Sequence, residues 1–188
     1  MMESKIVYFE KPGSENTEAT LRIARQRAEE LGINSILVAS TTGDTAVKAM
    51  DALKGLTVIV VSHVTGMHEP DTQELTEENR KIVESKGGIM LTAAHAFSGV
   101  SRALRTKFDT VTIGDVIADS LRIFGQGIKV TCEIALMAAD AGLVRTDEDI
   151  ICIAGTGRGA DTAVVLKPVN ARRFFDLKVK EILCKPRF

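Results

Sequence analysis

Hydroxyl side chains and a glycine follow a short apolar run in the first quarter of the chain. Residues 36–38 (Ile-Leu-Val) lead into residues 39–46 (Ala-Ser-Thr-Thr-Gly-Asp-Thr-Ala), a pattern typical of a strand, a tight loop and a helix start. Backbone amides at a helix N-terminus lack partners and carry the positive end of the helix dipole, so this loop could bind phosphate. The candidate ligands are Ser40, Thr41, Thr42, Gly43, Asp44 and Thr45. The alternative is that Thr42 or Asp44 simply caps its own helix.

A second loop, residues 155–159 (Gly-Thr-Gly-Arg-Gly), follows the apolar run 150–154. Its Gly-x-Gly-x-Gly spacing is not the dinucleotide fingerprint, and the residues after it have a strand pattern where that fingerprint needs a helix. The sequence also contains no P-loop motif. Two interpretations remain open, a glycine-rich turn and a close backbone approach to an anion. On the second interpretation, Gly155 and Thr156 are candidate ligand-binding residues.

Histidines follow two predicted strands. His63 and His95 could act as acid, base or hydrogen-bond donor, or could be structural, whereas His68 lies in a longer polar loop with a weaker claim to function. The three scattered cysteines have apolar neighbours and are predicted to be core residues. We find no metal-ligand spacing and no assembled catalytic set in the sequence, so no metal is predicted and the catalytic residues are unknown.

The elements that position these loops alternate between strand and helix patterns. Such alternation predicts a mainly parallel sheet, in which all strand exits lie on one edge. The predicted exits are residues 12–17, 40–45, 62–66, 92–99 and 155–162, all rich in small polar residues. Open α/β sheets bind ligands at this edge, so the sequence predicts a cleft there.

Four further segments have local sequence patterns of varying clarity. A helix is predicted from about Gln73 to Glu84, and residues 112–115 (Thr-Ile-Gly-Asp) have the form of a capping box. Glu133 lies one turn after Lys129 and is predicted to pair with it or to be exposed. Residues 100–108 are basic and weakly periodic, and we assign them no role.

Length and charge limit the classes of function. The chain has 188 residues, with 24 basic and 25 acidic side chains and no run of like charge, so we expect one domain (1–188) and neither a nucleic acid nor a membrane as partner. The apolar runs are far shorter than the ~20 residues of a membrane span. No export signal follows the N-terminus, which predicts a cytoplasmic protein.

Residues 35–46, followed after a helix by residues 57–61, resemble the C-terminal α/β domain of pyruvate kinase. Residues 149–155 and 161–166 resemble the last two strands of that domain. The whole chain, including residues 8–17 and 137–143, is also similar to a family of small stand-alone archaeal proteins of the same fold.

The resemblance implies a three-layer α/β/α sandwich with a mostly parallel mixed sheet of core order 3-2-1-4-5, whose last strand is antiparallel. It also implies that the loop matching residues 41–45 holds a phosphate, as in pyruvate kinases that bind a sugar bisphosphate effector. That loop often has Lys and Arg where this chain has Thr42 and Asp44, and Asp44 would repel a dianion unless it points away. The catalytic barrel is not in this sequence, so pyruvate kinase activity is not implied.

From the residues and the resemblance together, we expect a protein that binds a phosphorylated small molecule. The similarity to the archaeal family suggests flavin mononucleotide (FMN), and the packing of pyruvate kinase domains suggests a homodimer. Two alternatives stay open: an enzyme that acts on a phosphorylated metabolite with His63 or His95 as acid or base, and a regulatory or oligomerisation module.

Overall fold

Apolar runs from five separate parts of the chain form the interior of one mixed sheet. The computed structural model describes residues 3–187, and in them we find seven strands. These are β1 (Val7–Phe9), β2 (Ser35–Ala39), β3 (Thr57–Val61), β4 (Ile89–Leu91), β5 (Ile150–Ala154), β6 (Thr162–Lys167) and β7 (Lys178–Pro186). The α-helices are α1 (Thr17–Leu31), α2 (Asp44–Ala52), α3 (Glu77–Ser85), α4 (Gly99–Phe108), α5 (Ile113–Arg122) and α6 (Gln126–Asp140), with 3₁₀ turns at Ser14–Asn16 and Ala171–Asp176.

The strand order is β1-β7-β6-β5-β2-β3-β4. Strand β6 pairs antiparallel with both of its neighbours, and all other pairs are parallel. The section β4-β3-β2-β5-β6 is the predicted core order 3-2-1-4-5 with an antiparallel last strand, so that prediction is confirmed. Strands β7 and β1 extend the sheet beyond this core.

Helices cover both faces of the sheet, which explains why the central strands are apolar at nearly every position. On β2, Ile36 and Val38 face a cluster with α1, α2 and α3, whereas Leu37 faces α6. Alternate residues of one strand therefore enter different layers, as the twofold repeat of a strand requires. The α/β/α sandwich predicted from the sequence is confirmed.

One helix begins later than the sequence predicts, and another helix was not predicted. Helix α3 begins at Glu77, not near Gln73, because the Thr76 hydroxyl accepts from the amide of Asn79 and caps the helix there. Residues 100–108, for which the sequence predicts no role, belong to α4, none of whose side chains is buried. Within residues 3–187, no helix has the length and apolar content needed to cross a bilayer.

Candidate functional site

The exits of β1 to β5 meet at one edge of the sheet and enclose a cleft of about 910 Å³. Of the residues proposed from the sequence, eight line this cleft: Ser40, Thr41, Thr42, Asp44, Thr45, His63, His95 and Gly155. Gly43 and Thr156 belong to the same two loops but do not line the cleft. The structure thus brings the separate polar loops together around one space, as the parallel topology predicts.

The loop between β2 and α2 presents free backbone donors. Within residues 3–187, the amides of residues 41–45 have no hydrogen-bond acceptor, and neither do the hydroxyls of Thr41 and Thr45. The Ser40 hydroxyl instead accepts from the amide of Ala46 at 3.3 Å and so fixes the first turn of α2. The loop therefore offers several donors at the positive end of a helix dipole.

Asp44 is held by donors of its own. The Thr42 hydroxyl donates to Asp44 Oδ2 at 2.8 Å, and Asn79 Nδ2 on α3 donates to Asp44 Oδ1 at 3.1 Å. The carboxylate is therefore drawn towards α3, although Asp44 still contributes to the cleft wall. Asn79 Nδ2 also donates to the Thr42 carbonyl at 3.0 Å, so α3 fixes the shape of the loop.

Gly43 is required by the turn between β2 and α2. Its φ is +100°, a region that side chains rarely adopt, and a Cβ there would lie 2.4 Å from Asn79 Cβ and 2.8 Å from Leu75 Cδ1. The turn thus needs glycine for its backbone conformation and for its close contact with the segment that leads into α3.

The glycine loop after β5 is organised by Asp161, whose side chain is fully buried. Asp161 Oδ2 accepts from the amides of Thr156 at 3.0 Å and Gly13 at 3.2 Å, and Oδ1 accepts from the Thr162 hydroxyl at 2.8 Å. One carboxylate thereby joins the exits of β1 and β5. Thr156 Oγ1 is a buried atom without a hydrogen-bond partner among the described residues.

Six basic side chains line the cleft, and they fall into two groups. Arg105, Arg122 and Lys129 form ion pairs with Asp115, Asp119 and Glu133. For Lys48, Arg102 and Arg158, by contrast, we find no carboxylate within ion-pair distance in the described chain. Local sequence patterns did not indicate these three cations, because they come from α2, α4 and the glycine loop and meet only in the folded chain.

The two predicted histidines lie side by side, with ring centroids 5.4 Å apart. The Val64 amide donates to His95 Nε2 at 3.3 Å. Burial lowers the pKa of His95, and although the Glu133 carboxylate opposes this effect, His63, Lys129 and Arg102 lower the pKa further. The ring is therefore neutral near pH 7, with its proton on Nδ1.

Two acidic residues act on this pair, Glu74 by contact with His63 and Glu133 by its charge near His95. Glu74 Oε2 lies 2.6 Å from His63 Nδ1. Glu133 is buried, pairs with Lys129 as one of the two predicted alternatives, and accepts from the Phe97 amide at 3.0 Å. Glu74 had no signal in the sequence, because the predicted helix start at Gln73 placed it on a helix and not in a loop beside His63.

Comparison with known proteins finds two solved structures and one family. Among solved structures, the chain is similar to a pyruvate kinase from Cryptosporidium parvum (12% identity, 81% of this chain, 23% of that chain, TM-score 0.42). A Cryptosporidium parvum pyruvate kinase in complex with ADP is similar as well (14% identity, 82% and 23% of the two chains, TM-score 0.39). The chain thus spans less than a quarter of those proteins. Residues 18–166, more than three quarters of the chain, match the family described as pyruvate kinase, alpha/beta domain. The chain therefore belongs to the pyruvate kinase alpha/beta domain family.

Proposed function

We propose that the protein binds a phosphorylated small molecule in the strand-exit cleft, and that this ligand is FMN. The observation that carries the proposal is the row of amides at residues 41–45, which have no acceptor within residues 3–187 and lie at a cleft of about 910 Å³. Ligand pockets of about 300–1,000 Å³ suit small molecules of cofactor size. FMN is a nucleotide-sized ligand with one phosphate, one flexible chain and one flat ring system.

The phosphate fits the loop between β2 and α2. The free amides and the hydroxyls of Thr41 and Thr45 can donate to phosphate oxygens, and the dipole of α2 favours a negative charge there. Lys48 lies one turn further along α2 and also lines the cleft, as does Arg158. These cations can neutralise a dianion, which Asp44 alone would repel.

The ring system fits the wider part of the cleft. Apolar atoms of Val61, Phe97, Ile134 and Met137 contribute to its wall, and a flat aromatic ring gains by covering such side chains. Bound FMN would supply electron-transfer chemistry, and the residues of this chain would hold and orient it.

The proposal is tested by comparing FMN with riboflavin, which lacks the phosphate. Freshly purified protein is expected to show flavin absorption, and denaturation should release FMN. In fluorescence titrations of flavin-free protein, FMN should bind at least about tenfold more tightly than riboflavin, because only FMN engages the charged and amide donors of the loop. Thr45→Val should weaken the binding of FMN and leave the affinity for riboflavin unchanged.

Thr57→Val is the matched control, since Thr57 is the exposed first residue of β3 at the opposite edge of the sheet. It should leave both affinities unchanged. Equal affinities for FMN and riboflavin would contradict the phosphate site. Absence of flavin from the purified protein, together with no binding of added FMN, would refute the flavin assignment.

The second candidate function is an enzyme with His95 as acid or base. The hydrogen bonding of His95 favours a role in ligand binding instead. The Val64 amide occupies the lone pair of Nε2, so neutral His95 offers a ligand only its Nδ1–H. A general base needs a free lone pair. The arrangement therefore supports His95 as a hydrogen-bond donor to the bound ligand more than as an acid–base catalyst.

A further inference from the structure

We propose that His63, His68 and Glu74 bind a divalent first-row transition metal ion, with Zn²⁺ as the reference ion, at the rim of the cleft. Each residue offers one ligand atom, and the three atoms lie within 4.8 Å of one another. All three come from the single loop that joins β3 to α3. The proposal does not depend on flavin binding, because neither His68 nor Glu74 lines the cleft.

The distances between the three ligand atoms are close to those of a metal site, and small side-chain rotations would bring the atoms to metal-binding distances. His63 Nδ1 lies 2.6 Å from Glu74 Oε2, and His68 Nε2 lies 3.7 Å from the same oxygen. Zn²⁺ binds nitrogen and oxygen at about 2.0–2.2 Å, so its tetrahedral ligands are about 3.3 Å apart. The short contact is a hydrogen bond through the His63 Nδ1 proton. The metal takes the place of this proton, which moves to Nε2 in the other tautomer of neutral imidazole.

The loop holds two of the three ligands in place and leaves the third free to adjust. Gln73 Nε2 donates to the His63 carbonyl at 3.0 Å, and Gly66 N donates to the Thr72 carbonyl at 2.8 Å, so both ends of the loop are fixed. The His68 side chain is 67% exposed, and within residues 3–187 its one ion pair is with Glu74. His68 can therefore rotate towards a metal without disturbing any other interaction.

The ligand set selects the class of metal. Two imidazoles and one carboxylate suit Zn²⁺, Co²⁺ or Ni²⁺, whereas Mg²⁺ and Ca²⁺ prefer oxygen ligands alone. Three protein ligands leave at least one coordination position for water or for an anionic molecule. Because His63 also lines the cleft, the metal would fix the orientation of one cleft side chain.

The site is tested on the full chain after treatment with a chelator and desalting. Zn²⁺ is titrated by calorimetry, and Co²⁺ is titrated by its visible absorption. We expect saturable binding of one ion per chain with a dissociation constant near or below about 10 μM, which excess Mg²⁺ does not prevent. His68→Ala and Glu74→Gln should each weaken binding by at least about tenfold.

Two controls are matched to these variants. Glu69→Gln removes an exposed carboxylate from the same loop, and His95→Gln removes the other cleft imidazole; neither should change the affinity more than about twofold. Circular dichroism of the metal-free variants checks that each is folded, and a misfolded variant is replaced by His68→Asn or Glu74→Ala.

Four outcomes would overturn the proposal. The first is no saturable binding of Zn²⁺ below about 1 mM. The second is unchanged affinity in folded His68 and Glu74 variants. The third is loss of binding in His95→Gln, which would place the metal elsewhere in the cleft. The fourth is a cobalt–thiolate absorption band, which would assign the ion to Cys132, Cys152 or Cys184, all of them buried free thiols.

Discussion

His95 shows how one side chain links the cleft to the stability of the protein. The half-buried ring accepts a hydrogen bond from Val64 N in its neutral form, and burial lowers the pKa of the imidazole below its ordinary value of about 6.5. In the unfolded chain this penalty is absent. The unfolded state therefore takes up a proton at a higher pH than the folded state does.

This difference predicts a pH dependence of stability. As the pH falls from about 6.5 through the lowered pKa of folded His95, the unfolded state binds more protons, so the free energy of unfolding decreases. Above that range the contribution is complete and constant. Urea unfolding between about pH 5 and pH 8 should show this slope in the wild-type protein and a smaller slope in His95→Gln.

Thr57→Val serves as the matched control, because it removes an exposed side chain that carries no ionisable group, so it should leave the slope unchanged. If the His95→Gln and wild-type curves stay parallel over the whole range, the lowered pKa is refuted.

At the same scale, sequence patterns identified residues that belong to a motif of adjacent residues. They missed residues whose partners are distant in the sequence. Ser40, Thr41 and Thr45 were found because each lies in a strand–loop–helix pattern. Asp161, which joins two strand exits, gave no such signal, since one of its partners, Gly13, lies almost the whole chain away. Lys48, Arg158 and Glu74 were missed for the same reason: only tertiary structure brings them to the cleft or to His63.

At the scale of elements, the junction of β2 and α2 depends on a single glycine. Gly43→Ala introduces a methyl group at φ +100° and places it 2.4 Å from Asn79 Cβ. We expect it to lower the free energy of unfolding by about 2–4 kcal/mol, through backbone strain and overpacking together. The shifted loop should also weaken FMN binding.

Gly55→Ala separates the two causes. Gly55 has a similar φ of +89°, but a Cβ there meets nothing within 4 Å. Gly55→Ala should lower the free energy of unfolding by about 1 kcal/mol, because only backbone strain contributes. Urea denaturation of both variants measures the difference, and equal costs would show that contact with Asn79 does not constrain the loop.

Element types followed from local patterns more reliably than element boundaries. The capping box at residues 112–115 opens α5 as predicted, because its two hydrogen bonds are local. The predicted start of α3 was wrong by several residues. Gln73 lies in the preceding loop, where its side chain donates to the His63 carbonyl and accepts from the Leu75 amide. Helix α4 was missed because three basic residues interrupt a narrow apolar stripe of Val100, Leu104 and Phe108, which no layer of the fold buries.

At the scale of the whole molecule, large apolar side chains of residues 100–124 remain exposed, and we propose that a second copy of the chain covers them. The exposed large side chains between residues 100 and 124 are Val100, Leu104, Phe108, Val111, Ile113, Val116, Ile123 and Phe124. Monomeric proteins rarely expose so many large apolar side chains together. This concentration supports the homodimer that the sequence resemblance suggested.

Light scattering coupled to gel filtration measures the mass in solution. The wild-type protein should have the mass of two chains at about micromolar concentration, and the double variant Val100→Asp/Phe108→Asp should have the mass of one. The control Tyr8→Asp changes an exposed aromatic on edge strand β1 and should remain a dimer. A monomeric wild type would refute the homodimer, and dissociation of the control alone would move the interface to β1.

Within residues 3–187, strand β1 pairs only with β7 at one edge of the sheet, yet the chain just after β1 forms one wall of the cleft. Gly13 N donates to Asp161, Ser14 lies against Gly159, and both Ser14 and Thr17 line the cleft. Detachment of this short strand by local unfolding would therefore open the cleft as well. Ligand occupancy and docking of β1 are thus thermodynamically linked: a ligand that contacts Ser14 slows hydrogen exchange in β1, and loosening of β1 lowers the affinity for that ligand to the same degree.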